Sequence, residues 1–239
     1  MYRLDPVVLL TTAISPDPNT PFLKMSCPEM RSISTKASIF FWVSQGLKKL
    51  VIADGTNSLV LSNAELSILR SLGVNVEQLR FEQDNNQVLI RGKGWAEGQI
   101  IKYAIHNSNL LKTNNYFYKC TGKIICRNFK KISALLSDNS IANMFWRSFE
   151  LKFIADARFF FTSINDFERY LLPAYEETNE VGANNIFEQP LTRMLDKNLQ
   201  QGVTVRPLLS GFCGGSGEQY EEKYFGELDI AFPCWYSNF

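Results

Sequence analysis

Two short segments of this chain combine lysine with glycine in a pattern that suits an anionic ligand. They are Arg91-Gly-Lys-Gly-Trp-Ala-Glu97 and, one predicted helix later, Tyr118-Lys-Cys-Thr-Gly-Lys-Ile124. Glycine permits a tight turn and leaves its backbone N–H open to a ligand. Lysine supplies a mobile positive charge that suits phosphate. Two such runs facing one cleft would bind a phosphorylated ligand.

The first run is predicted to stand at the start of a helix. Gly92, Lys93 and Gly94 would then turn backbone donors and the positive end of the helix dipole toward an anion. Glu97 falls in the first turn, where it either caps the helix or accepts the hydroxyl groups of a sugar. A solvated turn is the alternative. The run is not a Walker A motif, because the Lys-Ser or Lys-Thr ending is absent.

The second run places polar residues in a predicted buried strand. Lys119, Thr121 and Lys123 share one face of the pleat, because side chains alternate along a strand, and Gly122 interrupts the strand between them. Buried polar groups need partners, and a phosphate would provide them. An edge strand with solvated lysines is the alternative.

Three acids and one arginine are further candidates. Asp54 closes a predicted strand, where it would accept hydrogen bonds from a ribose or base or simply form a turn. Asp156 and Arg158 share a strand face among phenylalanines, so Asp156 is either a general base or one half of a structural ion pair. Glu188 opens a later helix, as a helix-start acid or as a contact to an acceptor sugar.

The C-terminal third contains a glycine-rich segment, 211–217, that is predicted to be a loop. Together with Tyr220 it would either close over a phosphate as a mobile lid or remain a plain flexible loop. The tail from Phe225 to Phe239 is rich in aromatic residues and is predicted to pack back on the body of the protein.

Hydrophobic patterning over the first ~130 residues alternates strands with helices. The predicted strands are 7–14, 48–55, 76–81 and 116–125, and the predicted helices are 31–45, 62–73 and 96–111, with a loop over 83–87. This alternation is typical of a Rossmann-like α/β fold, a mixed and mostly parallel sheet flanked by helices. The remainder is less regular, with a predicted strand over 149–161 and helices over 165–177 and 185–199.

Composition restricts the class of protein. The chain has 239 residues, of which 45% are hydrophobic, so we expect a globular protein. Its net charge of +1 argues against binding of nucleic acid through a large overall positive charge. Five scattered cysteines without a CxxC pair, and a single histidine, His106, argue against a zinc site and for reduced thiols in the cytosol. No apolar run reaches the ~18 residues of a membrane span.

The ordered set of segments resembles bacterial glycosyltransferases of the GT-A type, of the kind that build capsule, lipopolysaccharide and other surface glycans. The resembling pieces span roughly residues 7 to 190: Leu9-Leu-Thr-Thr-Ala-Ile14, Val51-Ile-Ala-Asp-Gly55, the run 91–97, the run 118–123 with Asn128, and Asp156-Ala-Arg-Phe159 followed by Glu188.

The resemblance implies one GT-A-like domain over 1–239, with a nucleotide-sugar-binding half to about 130 and an acceptor-binding half from about 131. The reaction would move a sugar from a nucleotide-sugar to a hydroxyl of a glycan or lipid-linked glycan. The implied roles are nucleoside contact for Asp54, donor or phosphate binding for Gly92, Lys93, Gly94, Lys119, Thr121, Gly122 and Lys123, base catalysis for Asp156, and sugar or acceptor binding for Glu97, Arg158, Glu188 and Tyr220.

One departure from the family pattern concerns metal. Enzymes of the GT-A type usually carry an Asp-x-Asp metal motif near the fourth strand, and here that place holds Lys119-Cys-Thr-Gly-Lys123, without an acid. A divalent metal is therefore in doubt, and no cofactor is predicted. Lysine charge would instead stabilise the leaving phosphate.

Two other functions stay open at this point. A nucleotidyl- or phosphotransferase on a related fold would need acids that hold magnesium, such as Asp54, Asp84 and Asp156 if they converge. A non-catalytic sugar- or partner-binding module would use the aromatic tail 232–236 as an interface. In each case we expect a cytoplasmic protein, with peripheral contact to the inner face of the membrane left open.

Overall fold

A computed structural model describes residues 7–148, 154–182, 185–212, 217, 219–221 and 231–238, without the side chains of 220 and 221. The predicted strand residues 149–153, the loop residues 213–216 and most of the tail before 231 lie outside the described residues, and so does the side chain of Tyr220.

The strands of the described residues are β1 Val7–Thr12, β2 Lys49–Asp54, β3 Asn75–Arg80, β4 Tyr116–Thr121, β5 Ile124–Cys126, β6 Ile141–Arg147, β7 Ala155–Ser163, β8 Gln200–Val205, β9 Leu209–Phe212, β10 Gln219–Glu221 and β11 Ala231–Asn238. The helices are α1 Pro28–Ser44, α2 Asn63–Ser71, α3 Asn85–Arg91, α4 Lys93–Asn107, α5 Asn109–Asn114, α6 Phe129–Asp138, α7 Ile164–Asp166, α8 Leu172–Glu177 and α9 Glu188–Asn198. A π-helical turn, Phe167–Leu171, joins α7 to α8.

Eight strands form one sheet in the order β3-β2-β1-β4-β7-β6-β11-β8. Strands β3, β2, β1 and β4 are parallel, and the other neighbouring pairs are antiparallel. The expected mixed α/β sheet, parallel in its first half and flanked by helices, is confirmed. Because the chain moves from β1 to β2 and β3 on one side and then returns to β4 on the other, a ligand crevice opens at the carboxyl ends of β1 and β4.

Helices cover both faces of the sheet, and alternate side chains of β1 pack into the hydrophobic cores on its two faces. Val8 and Leu10 pack in a core with Trp42 of α1 and residues of α2 and α6. Val7 and Leu9 belong to a second core with residues of α4, α8 and α9. Burial on both faces explains why β1 reads as a continuous apolar run. None of the helices in the described ranges is long and apolar enough to cross a membrane.

Local sequence accounts for several element boundaries in the first half. The predicted capping box is present, since the Ser62 hydroxyl accepts from the N–H of Glu65 and the Glu65 carboxylate accepts from the N–H of Ser62. The predicted loop over 83–87 was wrong in part, because the Asp84 side chain caps α3 by accepting from the N–H groups of Asn86 and Gln87.

The predicted helix over 96–111 differs from the structure at both ends. Helix α4 already begins at Lys93, and it ends at Asn107. Ser108 then caps the separate helix α5, accepting from the N–H of Leu111 and donating to the carboxylate of Glu77. A capping partner that comes from a neighbouring strand is not visible in the local sequence.

The described part of the second half contains six elements that sequence patterning missed, namely α6, β6, β8, β9, β10 and β11. The tail forms strand β11 of the sheet, between β6 and the edge strand β8. Phe232, Cys234 and Trp235 are buried there, so the prediction that the tail packs back on the body is confirmed for its described part. The alternative that made this tail an exposed partner interface is wrong, because these side chains belong to the core.

Candidate functional site

A cavity of about 200 Å³ lies at the carboxyl ends of β1 and β4. Its lining combines charged, polar and apolar residues: Thr11, Thr12, Ala13, Pro16, Asp17, Thr20, Leu23, Arg31, Thr56, Gln83, Asn85, Val88, Lys93, Ala96, Glu97, Ile100, Thr121 and Lys123. This volume is below the ~300 Å³ at which pockets begin to enclose whole small molecules, so a ligand bound here would extend out of the crevice.

Lys119 lies beneath the cavity floor and is completely buried. Its ammonium pairs with the Glu97 carboxylate, with 2.7 Å between Nζ and Oε1. It also donates to Thr121 Oγ1 at 3.1 Å and to the carbonyl of Ala157 at 2.6 Å. These three acceptors match the three N–H bonds of an ammonium, so Lys119 is fully engaged inside the protein.

Glu97 is the acid that links the predicted residues of α4 and β4. Its Oε1 accepts from Thr11 at 2.8 Å and from Thr121 at 3.2 Å, in addition to Lys119. The Tyr175 hydroxyl, on α8, lies 3.4 Å from Oε2. Burial, together with the charge of Glu97, raises the pKa of Tyr175 well above its ordinary value. Glu97 is therefore held in one orientation, with Oε2 less occupied than Oε1.

Gly122 follows Thr121 where β4 leaves the sheet and touches β1. A Cβ at this position would stand 2.4 Å from Cγ2 of Thr12 and 2.9 Å from the carbonyl oxygen of Thr11. Its N–H donates to that same carbonyl at 2.8 Å. Only glycine allows this approach, which brings Thr121 and Lys123 to the cavity.

The run Gly92-Lys93-Gly94 forms an anion seat at the start of α4, and a carboxylate of the chain occupies it. Glu180 accepts from the N–H of Lys93 at 2.8 Å and from the N–H of Gly94 at 3.2 Å. Burial of the Glu180 carboxyl raises its pKa, and these two donors act in the opposite direction. The Lys93 ammonium reaches the cavity and donates to the carbonyl of Phe22 at 2.8 Å.

Asp54 is completely buried at the end of β2 and serves the turn that follows. Its Oδ2 accepts from the Thr12 hydroxyl and the N–H of Ile14, and its Oδ1 accepts from Thr56 and the N–H of Ser58. Both oxygens are thus used to order the β1 and β2 ends of the crevice. The predicted contact to a nucleoside stays a prediction.

Asp156 and Arg158 form the ion pair that was one of the two predicted readings. Arg158 Nε lies 2.8 Å from Oδ1 and Nη2 lies 2.6 Å from Oδ2 of Asp156, a bidentate arrangement. The role of Asp156 as a base stays a prediction. The residue between them, Ala157, carries the carbonyl that binds Lys119, so this pair adjoins the Glu97 network.

Glu188 is the first residue of α9, and its side chain is half-buried. Burial raises the pKa of Glu188 to about 7, and the negative charges of Asp156, Glu180 and Glu97 add to the rise. Tyr220 lies in β10, where its side chain is outside the described part of the chain.

The structure brings several of the predicted residues together. Four of them line one cavity, namely Lys93, Glu97, Thr121 and Lys123. Lys119 is joined to them through Glu97, and electrostatic coupling places Glu188 near Glu97 and Asp156. The lysines of the two runs thus meet at one mouth of the sheet.

Arg31 is a cavity residue that sequence reasoning missed. Its side chain is 5% exposed, and it donates from Nε to the carbonyl of Ala13 at 2.5 Å and from Nη1 to the carbonyl of Met25 at 2.9 Å. Across the described residues it has no carboxylate within ion-pair distance and no hydrogen bond from Nη2. Burial lowers the pKa of Arg31, and the nearby charge of Asp54 opposes that shift.

A signal for Arg31 was present in the sequence. It lies near the start of α1, where the helix dipole disfavours a positive charge. A buried guanidinium at that place, without a carboxylate, needs a counter-charge from another source.

The acids required by the metal-dependent alternative do not meet. Asp54 orders the turn after β2, Asp84 caps α3, and Asp156 pairs with Arg158. Over the ranges that the structure describes, no group of three or more His, Cys, Asp or Glu side chains is placed to hold a metal ion.

The cysteines in the described residues are free thiols. Cys120, Cys126 and Cys234 are buried and Cys27 is exposed, while Cys213 lies outside the described residues. Burial raises the pKa of Cys234 to about 11, which keeps that thiol protonated and unreactive at neutral pH.

No protein-family model matches the chain, and no curated protein matches it significantly. Among solved structures, a Bacillus anthracis chain assigned as a glucose-1-phosphate thymidylyltransferase and solved with bound sucrose is similar, at 9% identity and a TM-score of 0.42, over 80% of this chain and 82% of that one. A likeness at that level carries no argument about activity.

Proposed function

We propose that this protein is a glycosyltransferase that binds a nucleotide-sugar in the crevice between β1 and β4 and transfers the sugar to a hydroxyl of a glycan acceptor. The observation that carries the proposal is Arg31. Its guanidinium is 5% exposed, lines the cavity and has no carboxylate partner in the described residues. A buried positive charge in that situation is suited to bind an anionic ligand.

The other charges of the cavity support an anion at the same place. Lys93 and Lys123 line it with Arg31, whereas its acids are Asp17 and Glu97. The charge of Glu97 is balanced by Lys119. Among the described residues that line the cavity, three basic side chains outnumber two acids, which suits a diphosphate.

The apolar wall of the same cavity suits the nucleoside. Leu23, Val88, Ala96 and Ile100 supply contact surface, and Asn85 supplies an amide for hydrogen bonding. The sugar would then extend beyond the crevice, past Glu97, because the cavity is too small for the whole donor. Glu97 Oε2 accepts only from the Tyr175 hydroxyl within the described residues, which supports a role for it as an acceptor of hydrogen bonds from the sugar hydroxyls.

In this proposal, Arg31, Lys93 and Lys123 neutralise the leaving group, as a metal ion does in many related reactions. As the bond between the anomeric carbon and the phosphate oxygen breaks, negative charge builds up on the leaving diphosphate, and fixed positive charges stabilise it. Nucleotidyl transfer is the alternative. Glu97 and Asp156 are each paired with a basic side chain, which supports stabilisation of the leaving group by fixed cations.

The test is a binding and turnover panel of UDP-, GDP-, CDP- and CMP-linked sugars. Calorimetry would measure donor binding with and without EDTA, and release of free nucleotide would measure slow donor hydrolysis. We expect one nucleotide class to bind with and without EDTA. The variant Arg31→Gln should bind that donor at least tenfold more weakly, while Arg70→Gln, at an exposed position of α2, should bind like the wild type.

Two results would count against the proposal. Failure to bind any of the four nucleotide classes would remove its basis. Release of pyrophosphate from a nucleoside triphosphate and a sugar 1-phosphate, in the presence of magnesium, would identify the nucleotidyltransferase alternative instead.

A further inference from the structure

Four acids lie close together beside the crevice, and three of them have a dedicated donor. Glu97 is paired with Lys119, Asp156 is paired with Arg158, and Glu180 binds backbone N–H groups at the start of α4. The fourth is Glu188. Within the described residues its carboxyl has no hydrogen-bond partner other than its own backbone N–H.

The residues next to Glu188 pack the start of α9 against α8 and β7. The ring of Phe187, one residue earlier, stacks on the ring of Tyr175 with 3.5 Å between centroids. The Tyr175 hydroxyl in turn faces Glu97 at the cavity wall. One turn after Glu188, the Thr192 hydroxyl accepts from the N–H of Ala155, which precedes Asp156.

The elements around Glu188 present titratable groups of both signs. They are Glu97 on α4, Lys119 on β4, Asp156 and Arg158 on β7, Tyr175 on α8, and Glu180 in the following loop. Lys119 and Arg158 are bound to Glu97 and Asp156 rather than to Glu188, and the charges of Asp156, Glu180 and Glu97 disfavour the ionised form of Glu188. This combination of partial burial and like charge raises the pKa of Glu188 to about 7, close to the value that suits proton transfer at neutral pH.

We propose that Glu188, rather than Asp156, is the general base of the transfer step, an inference that rests on the proposed function. Its carboxylate accepts the proton of the attacking hydroxyl, from an acceptor sugar or from water, while that oxygen bonds to the anomeric carbon. The bond from the anomeric carbon to the phosphate oxygen breaks, and its electron pair leaves with the nucleotide. The bidentate bonds of Asp156 to Arg158 leave it poorly placed to accept a proton.

Donor hydrolysis tests the role of Glu188 as general base without a known acceptor, since water then supplies the attacking hydroxyl. The probe is the nucleotide-sugar of the panel that the wild type hydrolyses fastest. The rate of nucleotide release is measured from pH 5 to pH 9. The wild-type rate should rise about tenfold per pH unit below pH 7 and level off above it, because only the ionised carboxylate accepts a proton. Glu188→Gln should lower the plateau by about 10²- to 10⁴-fold and abolish the inflection.

Donor binding separates this inference from the proposed function. Glu188→Gln should bind the donor within about twofold of the wild type, and Glu168→Gln, an exposed acid beside His106 at the far end of α4, should keep the wild-type profile. A wild-type inflection in Glu188→Gln, a parallel loss of donor binding, or a wild type that binds donor without hydrolysing it would overturn the assignment to Glu188. A wild type that binds no donor would overturn the proposed function itself.

Discussion

Glu97 and Lys119 form an ion pair whose two halves are buried to different degrees. The distance from Oε1 to Nζ is 2.7 Å, the Lys119 side chain is 0% exposed, and the Glu97 side chain is 20% exposed at the cavity wall. Loss of the acid would leave an ammonium inside the protein. Loss of the Lys119 ammonium would leave the Glu97 carboxylate, which is partly exposed to water and still accepts hydrogen bonds from Thr11 and Thr121.

This asymmetry predicts the order of two stability changes. Glu97→Gln should lower the free energy of unfolding by about 3 kcal/mol, because an uncompensated buried charge is strongly destabilising. Lys119→Met should lower the free energy of unfolding by less, since an uncharged side chain of similar volume replaces that of lysine. The double variant should recover part of the loss of Glu97→Gln. Urea denaturation of the four proteins measures the cycle, and strictly additive losses would contradict a coupled pair.

Sequence patterning was sufficient where an element depends on its own residues. The apolar run of β1 and the capping box at Ser62 are local signals, and both are present in the structure. The clustering of Lys93 with Lys123 also followed from sequence, because in a parallel α/β sheet the helix N-termini lie at the same edge as the carboxyl ends of the strands.

The remaining features depend on contacts between distant segments. Glu180 fills the anion seat at α4 from a position 87 residues later than Lys93, and nothing in its local sequence indicates this. The position of Arg31 near the start of α1 is unfavourable for a positive charge, but this signal points to a ligand only once its burial beside the cavity is known. The local sequence of β11 did not indicate a strand, because its place in the sheet depends on pairing with the distant strands β6 and β8.

Arg31 should control binding of a simple diphosphate. Inorganic pyrophosphate is expected to raise the melting temperature of the wild type, since a ligand that binds the folded state stabilises it. Arg31→Gln should lower pyrophosphate affinity by about 10- to 100-fold, the range for loss of a hydrogen bond to a charged group. Arg31→Lys should fall in between, because it keeps the charge but not the planar fork.

The matched control for this measurement is Arg70→Gln, which removes an exposed arginine. It should leave the pyrophosphate response unchanged. Equal responses in the wild type and Arg31→Gln, with both proteins folded in the absence of ligand, would show that Arg31 only anchors the carbonyls of Ala13 and Met25.

Gly92 should be intolerant of any side chain. Its φ is +96°, and a Cβ would lie 2.3 Å from Oε2 of Glu180. Gly92→Ala should therefore lower the free energy of unfolding by about 3 kcal/mol, from backbone strain together with displacement of the carboxylate. Gly46→Ala is the control, because Gly46 has a φ of +85° and its Cβ would meet nothing closer than 3.9 Å. Equal losses in the two variants would show that Glu180 is not firmly seated.

Glu188 should make the stability of the protein fall as pH rises. Its pKa is about 7 in the folded chain against an ordinary 4.5, so between these two values the folded state binds more protons than the unfolded state. By linkage, the contribution of Glu188 to the free energy of unfolding then decreases with pH, by roughly 3 kcal/mol across the window. Glu188→Gln cannot ionise, so it should match the wild type near pH 4.5 and become increasingly more stable up to pH 7, with a constant difference above.

Melting temperatures of the two proteins from pH 4.5 to pH 8 measure this difference directly. Glu82→Gln, at an exposed acid, is the control, and its offset from the wild type should not change with pH. A stability difference between Glu188→Gln and the wild type that is constant over this range would mean that Glu188 is ionised throughout. Such a carboxylate would be too weakly basic for the proton transfer assigned to it, even if donor binding at Arg31 were intact.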